Sequence, residues 1–394
     1  MLLFFLRGAI HLKNKVIIIG GGVAGLAMSL FLKKANIESV LYEQAKAYGK
    51  VGGHFVVHPS GVQMLEMLGL GEEIKKNSHH LVDFAVLDKN NNPLFEEIEV
   101  EAELELEEMP YFINIARFHL IGVLYKEAVK QGIDIQFGKR LKGFAQEAEG
   151  VIVTFEDGTE DFGSILIGAD GVRSKTRELL FPFPANPLKY SGKTGVFGMV
   201  KTEKLGELKE YFTTDISHMY LHDNFIFFVS KHHPTDEEIS WSLISTEPRK
   251  IAKKHFEGKL IEELKEDLAA RFEGWEMPIQ QLIEATDHII PNQLYHIDLM
   301  KHYSYCRVVL IGDALHTADP NAGMGTTLAL EDAMYLAKML RDYDYEDAFY
   351  YFEHDRKPRA EKVFHSAKLL DNLEDDNIED YAFFDDGIDA NWDK

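Results

Sequence analysis

Two apolar runs of four residues bracket the chain: Val16–Ile19 near its start and Val308–Ile311 near its end. Short, β-branched-rich runs bounded by glycine predict strands buried on both faces, as in a parallel sheet. Behind the first run come Gly20-Gly21-Gly22-Val23-Ala24-Gly25, a helical pattern carried by Leu26, Leu30 and Leu32, and a second strand, Ser39–Tyr42, ending at Glu43. Strand, GxGxxG, helix, strand and acid, with about 20 residues between glycines and acid, is the dinucleotide-binding fingerprint. Behind the second run come Gly312-Asp313, then Pro320, Gly323 and Gly325, which keep the backbone open. A helical pattern starts near Thr326 and carries Leu328, Leu330, Met334 and Leu336. A glycine-rich approach to a helix start leaves N–H groups and a positive dipole end facing a ligand.

Between these ends the period changes several times. A loop with Gly52-Gly53 leads to a helix, Gly61–Leu68, and strands begin at Leu81. Glu96–Glu108 alternates strictly, with Ile98, Val100, Ala102, Leu104 and Leu106 opposite five glutamates, and reads as a half-buried strand with a solvated acidic face. Phe118–Lys130 reads as a helix led by Arg117. Val151–Phe155 and Thr159–Ile167 read as a hairpin around Asp157-Gly158, running into Gly168-Ala169-Asp170-Gly171-Val172-Arg173-Ser174. Strands dominate from Lys193 to Ser245, and Lys250–Phe272 and Ile279–Ala285 read as helices. The expected architecture is α/β. A Rossmann-like domain from residues 13–80, 110–184 and 290–365 interleaves with a β-sheet-rich domain from 81–109 and 185–289. Helices and an acidic tail, 366–394, follow.

Composition narrows the function. The formal net charge of -23 argues against nucleic acid and anionic membrane partners. Asp371–Lys394 holds ten acids and one lysine and reads as a solvated or frayed terminus. The only cysteine, Cys306, forbids an internal disulfide and a CxxC redox centre. It fits a cytoplasmic location and reads as a buried, inert thiol. The apolar leader MLLFFLRGAIHL is too short to span a bilayer and lacks signal-peptide features, so it reads as an upstream extension, with the functional chain starting near Leu12. No metal site is expected: neighbouring side chains in His79-His80 and His232-His233 point to opposite faces of an extended chain.

GGGVAG, GADGVRS and GDALHTADPNAGMG, in this order, resemble the single-component, class A FAD-dependent monooxygenases of the p-hydroxybenzoate hydroxylase fold. The similarity runs over most of residues 13–365 and includes GVQMLEMLGL, ARFHLIGVL, WEMPIQQLIEAT and ALEDAMYLAKML. It implies an FAD-binding domain interleaved with a substrate domain. It places Gly20, Gly22, Val23, Ala24 and Gly25 around the FAD pyrophosphate and Glu43 on the adenosine ribose. Arg117 is implied at the phosphate and ribityl region, Asp313 on the ribityl chain, and Pro320, Gly323, Gly325 and Thr326 around the flavin ring. Asp170 and Gly171 match the family's DG motif, associated with FAD and reduced nicotinamide. Two positions depart from the pattern. Gln44 stands where an arginine commonly follows the acid, which leaves NADH and NADPH both open. Thr326-Thr327 stand where an asparagine is common. His316 reads as structural.

The implied chemistry is flavin-borne, with no catalytic protein residue required. NADPH or NADH reduces FAD, O2 forms a flavin C4a-hydroperoxide, and an aromatic or polyketide-like small molecule is hydroxylated. Phe197, Met199, Phe225 and Phe227 are the substrate-facing candidates, and no arginine or lysine placement argues for a carboxylated substrate. A monomer or homodimer is expected. Two other FAD enzymes share the fold: an isoprenoid-type reductase, which would not need O2, and a halogenase, whose WxWxIP motif is missing here. A non-catalytic flavin-binding protein whose acidic tail recruits a basic partner is a third alternative.

Overall fold

The computed structural model describes residues 14–49, 53–81, 83–94, 111–182, 187–222, 224–235, 237–246, 259–317, 323–369 and 391–393. The N-terminal leader, the alternating Glu96–Glu108 stretch and Pro320 lie outside the described residues.

The two bracketing apolar runs meet in one sheet. Its strand order is Ser304–Tyr305, Val308–Leu310, Ile165–Gly168, Val16–Ile19, Ser39–Glu43, Asp134–Phe137, and every pairing is parallel except the Ser304–Tyr305 edge. Val16–Ile19, Ile165–Ile167 and Val308–Leu310 are almost fully buried, which is why they carry no alternating polar face. The register aligns the strand ends. Gly20 N donates to Tyr42 O at 2.8 Å, Ala169 N to Ile19 O at 2.8 Å, and Ile311 N to Gly168 O at 3.0 Å. All three glycine motifs therefore leave the sheet side by side at its C-terminal edge, where open α/β sheets bind ligands. The helices Val23–Lys34 and Gly325–Asp342, which follow the first and last of these turns, pack against each other.

The hairpin at Asp157-Gly158 is present, with Gly150–Phe155 pairing antiparallel to Glu160–Gly163. The second strand is shorter than expected. At Ser164 the chain leaves the hairpin, Ser164 Oγ donates to Asn14 O at 3.0 Å, and Ile165–Gly168 joins the parallel sheet instead. One apolar run thus serves two sheets, a change that a continuous period-2 pattern conceals.

The second layer is a six-stranded sheet in the order His288–His296, Lys189–Lys201, Glu238–Thr246, Phe225–Lys231, Ile216–His222, Asp83–Leu87. His288–His296 belongs to this sheet, so the expected domain limit at residue 290 falls inside one of its strands. One face holds Val196, Val200, Phe227, Trp241 and Leu243 and is covered by the helices Lys259–Ala270 and Ile279–Ala285. Trp241 Nε1 closes that core by donating to Thr286 Oγ1 at 2.9 Å. The other face meets a small sheet, His54–Val57, Phe112–Ala116 and His79–Leu81, which is the bridge to the parallel sheet. Of the expected helix Lys250–Phe272, residues 259–270 are helical, and 250–258 lie outside the described residues. Among the described residues, no helix is long and apolar enough to cross a membrane.

Two expectations are corrected. Cys306 is exposed, not buried: it occupies the tight turn between Ser304–Tyr305 and Val308–Leu310 with φ of 49°. The acidic tail is not frayed at its end. Trp392 is only 9% exposed, its ring stacked 5.7 Å from Phe31, with the Arg341 guanidinium 4.8 Å and Lys34 Nζ 5.7 Å from the ring centre. Lys338 Nζ and Arg341 Nη1 donate to the Asn391 and Trp392 carbonyls at 2.8 and 2.7 Å. An aromatic ring between cations, above apolar helix surface, outweighs the repulsion of its acidic neighbours. Trp392→Ala is expected to cost about 3 kcal/mol, near the low end for truncating a buried tryptophan. Thermal melting checks this, and an unchanged melting temperature refutes the clasp.

Candidate functional site

The first turn is shaped by what it excludes. Gly20 has φ of +106°, and a Cβ there would lie 2.4 Å from Ala169 O. A Cβ on Gly25 would lie 1.9 Å from Gly20 O, so the turn closes only on hydrogens. Gly22 is different: its would-be Cβ meets nothing within 4 Å. The helix that begins at Val23 has no side-chain cap and no acid in its first turn. Its N–H groups and positive end are thus free for an anion. Glu43 is pinned beside this turn, with Oε2 accepting from Gly21 N and Oε1 from Ala45 N, both at 2.7 Å. Tyr48, which the sequence reading missed, donates its hydroxyl to Gly21 O at 2.7 Å. Burial, reinforced by Glu43, pushes its pKa up and keeps it a donor. Gln44 is exposed just outside this cluster. A glycine cradle, an uncapped helix and an oriented carboxylate are the donor set that a dinucleotide's pyrophosphate and ribose require.

Arg117 joins this half to the other. It opens the helix Arg117–Lys130, and its backbone N donates to Gly53 O at 2.9 Å. Its positive charge acts on both Tyr48 and Asp313. Asp313 is open to solvent yet crowded by protein. Burial pushes its carboxyl above the usual range, against the pull of His316, Arg117 and Arg177. A carboxylate so placed gains from hydrogen-bond donors on a ligand, which fits the hydroxyl-bearing ribityl chain.

The middle motif has a more local role. Asp170 Oδ1 accepts from Ser174 Oγ at 2.5 Å, and Oδ2 from Thr176 N and Oγ1 at 2.9 and 3.0 Å, so both oxygens serve the start of the helix Lys175–Leu180. Arg177 from that helix then ties the motifs together. Its guanidinium donates to Val172 O at 2.7 Å and to Ala314 O at 2.9 Å. The sequence reading passed over Arg177; a lone arginine on a short helix carries no visible signal.

Under the late loop lies a buried charge network. Asp332 Oδ2 accepts from Gly312 N at 2.9 Å and from His316 Nε2 at 2.6 Å, and Oδ1 from Arg356 Nε at 2.9 Å. Arg356 Nη2 also donates to Glu331 Oε2 at 2.6 Å, while Ser60 Oγ and Arg359 Nη2 donate to Glu331 Oε1 at 2.7 and 2.9 Å. Burial alone would raise the Asp332 pKa, but His316 and Arg356 hold it down at about 2. Burial would likewise lower His316, but Asp332 raises it. His316 is thus a support for the Gly312-Asp313 turn. A signal for this network was available: Glu331 and Asp332 interrupt the apolar stripe of their helix between Leu328 and Leu336.

At the ring end, the threonine pair divides its work. Thr327 is fully buried and its Oγ1 accepts from His58 N at 3.0 Å, while Thr326 is half-buried and Gly325 exposed at the helix start. Gly323 faces His58, with its would-be Cβ 3.6 Å from Nε2. On the opposite side Phe197 packs on Gly53, where a Cβ would lie 2.9 Å from the ring. Met199 shares its face. Phe225 and Phe227 do not. They alternate onto the other face and pack against Phe272 at 5.3 and 5.0 Å, which removes them as substrate contacts. Phe228, one residue on, faces the site side and meets the His54 ring at 5.5 Å.

The FAD binding domain family matches residues 13–367. An FAD-dependent urate hydroxylase of Mycolicibacterium vanbaalenii is 30% identical over 91% of this chain and 88% of its own. A 6-hydroxynicotinate 3-monooxygenase of Bordetella bronchiseptica is 27% identical over 89% of this chain and 90% of its own. A solved structure of Klebsiella pneumoniae HpxO with one substitution, complexed with FAD, superposes with a TM-score of 0.79 at 25% identity, covering 94% of this chain and 92% of that one.

The charges lead to three predictions. Arg356→Met leaves two buried carboxylates undercompensated and is expected to cost about 3–5 kcal/mol. The wild-type network has a defined pH window. The Asp332 contribution is complete above roughly pH 4 and is lost as pH falls through its folded value near 2; the His316 contribution is complete below roughly pH 6.5 and fades as pH rises through its raised folded value. His316→Gln should therefore flatten the alkaline limb of a melting-temperature–pH profile, and an unaltered limb contradicts the assignment. Asp313→Asn is expected to weaken FAD binding by about tenfold or more, the scale of one hydrogen bond to a charged group. The same change leaves the FAD-free protein at least as stable at pH 8, because burial penalises the Asp313 charge. Fluorescence titration with FAD and a melt of the stripped protein read the two effects separately.

Proposed function

This chain belongs to the FAD binding domain family and is a class A FAD-dependent monooxygenase, and from that premise we propose that it hydroxylates a small, flat aromatic or heteroaromatic compound using O2 and reduced nicotinamide. The observation that carries the reading is the contact of Phe197 with Gly53. It brings the face of the large sheet that meets the small sheet to Gly53, whose carbonyl holds the Arg117 backbone, so a planar molecule held against that face lies beside the flavin end. The relatives named for urate and 6-hydroxynicotinate support a heteroaromatic ring.

Bound FAD supplies the transfer of two electrons from reduced nicotinamide to O2 and of one oxygen atom to the substrate, the other leaving as water. The chain's own residues hold and shield. The Gly20–Gly25 turn and the start of the Val23–Lys34 helix bind the pyrophosphate, Glu43 the ribose, and Asp313 the ribityl hydroxyls. Gly323, Gly325 and Thr326 approach the ring with little bulk. Phe197 and Met199 form an apolar wall that excludes water from the reacting centre. Gln44 offers no charge to a phosphate, so both NADH and NADPH enter the test.

The purified protein should be yellow with FAD. It should oxidise NADH or NADPH faster when phenols or hydroxylated heteroaromatics are added, consume O2, and place isotopically labelled oxygen from O2 in the product. Colourless protein that cannot be reconstituted with FAD defeats the reading. Substrate reduction that proceeds without O2 replaces it with a reductase.

A further inference from the structure

The helices Val23–Lys34 and Gly325–Asp342 lie side by side and run in the same direction, because they meet start to start and end to end. Their starts meet at the late turn, where a Cβ on Gly312 would lie 3.0 Å from Ala24 Cβ and 3.3 Å from Ala329 Cβ. Their ends meet at Trp392. Its ring stacks on Phe31 and lies beside the Lys34 and Arg341 cations, while Lys338 and Arg341 hold the Asn391 and Trp392 carbonyls. Phe31 and Lys34 belong to the first helix, Lys338 and Arg341 to the second, so Trp392 grips both. Parallel helices bring like poles together, which is unfavourable at each end. At the far end Lys33, Lys34 and Arg341 lie in the last turns and offset the negative poles. At the near end neither helix has an acid in its first turn, so both positive poles are left for an anionic ligand.

Rigid elements connect these two contacts. Ala24 and Lys34 stand about 15 Å apart along their helix, and close-packed helices do not bend to absorb a gap at one end. With the Trp392 ring in place the pair is held at both ends. Without it, Phe31, Lys34 and Arg341 lose the ring they share, and the helices are free to tilt about the contact of Ala24, Gly312 and Ala329. Such a tilt shifts the two helix starts relative to each other. The first start completes the Gly20–Gly25 turn and the second follows Gly323, and on the cofactor reading above both address one FAD molecule. A ligand that spans two elements binds best when their spacing is already fixed. Two events that favour the same packing reinforce each other, and reciprocity makes the two factors equal.

We propose that Trp392 is a positioning residue for the cofactor cradle: its docking between the helix ends and the binding of FAD at the helix starts favour the same packing, so each tightens the other. The proposal rests on the FAD reading of the cradle. The test titrates FAD-stripped wild-type, Trp392→Ala and Trp392→Phe protein with FAD, well below the melting temperature and with far-UV circular dichroism showing each one folded. Trp392→Ala should bind FAD about fivefold or more weakly, the lower end of typical coupling between distant sites. Trp392→Phe, which keeps an aromatic ring beside the cations, should recover most of the affinity. A clasp that only adds stability lowers the melting temperatures of stripped and loaded protein equally and leaves the FAD affinity the same in all three, which overturns the proposal. The wild-type chain gives a second readout that no variant's folding affects. Hydroxyl-radical oxidation of Trp392, read by mass spectrometry and normalised to Trp275, should be slowed by FAD by about the factor by which docking tightens FAD. Equal oxidation with and without FAD also overturns the proposal. Wild-type protein that takes up no FAD overturns the cofactor reading itself, and the proposal with it.

Discussion

The late half of the cofactor site depends on one buried carboxylate. Asp332 sits on a helix 20 residues beyond Gly312, yet it takes the Gly312 N–H, the His316 ring and the Arg356 guanidinium at once. Without it the turn that presents Asp313 would have an unmatched backbone donor and an unsupported imidazole in a dry interior. Arg356 comes from the last long helix, Tyr345–Leu369, so the C-terminal part of the fold supports a turn made at the sheet edge. A network of this kind adds little net stability over an apolar core. What it adds here is geometry: the exposed acid, Asp313, and the acid that holds the turn, Asp332, cannot exchange places.

The two acids also show how environment divides one chemistry into two tasks. Asp332 has permanent cationic partners and stays ionised far below the ordinary carboxylate range. Asp313 is drawn the same way by His316, Arg117 and Arg177, but the crowding around it outweighs them, so its charge is costly. Asp332 finds its partners within the chain, while the Asp313 side chain stays exposed. That difference is the physical mark of a site rather than a core.

A second division runs through the large sheet. Adjacent residues on one strand face opposite environments, so Phe227 belongs to a core with Trp241 and Phe272 while Phe228 faces His54 across the seam. Aromatic content marked this stretch as important, but only the pairing with neighbouring strands assigns each ring to a face.

Local pattern was enough for the parallel strands, the glycine turn, the acid at the end of the second strand and the two flanking helices. Each of these follows from short-range rules of burial, period and backbone freedom, which a contiguous stretch carries in full. It also carried the interleaving of the two domains, though it placed one limit, residue 290, inside a strand. Three things needed the tertiary structure. The partners of Asp332, Arg177 and Tyr48 are brought together across loops and helices that no spacing rule links. The face taken by Phe225, Phe227 and Phe228 depends on sheet register. Trp392 finds Phe31, Lys34 and Arg341 more than fifty residues away, so a segment that its acids mark as solvated is fastened at its end. Sequence determines what a segment can become on its own; contacts between distant segments decide which side chains meet and which face each one takes.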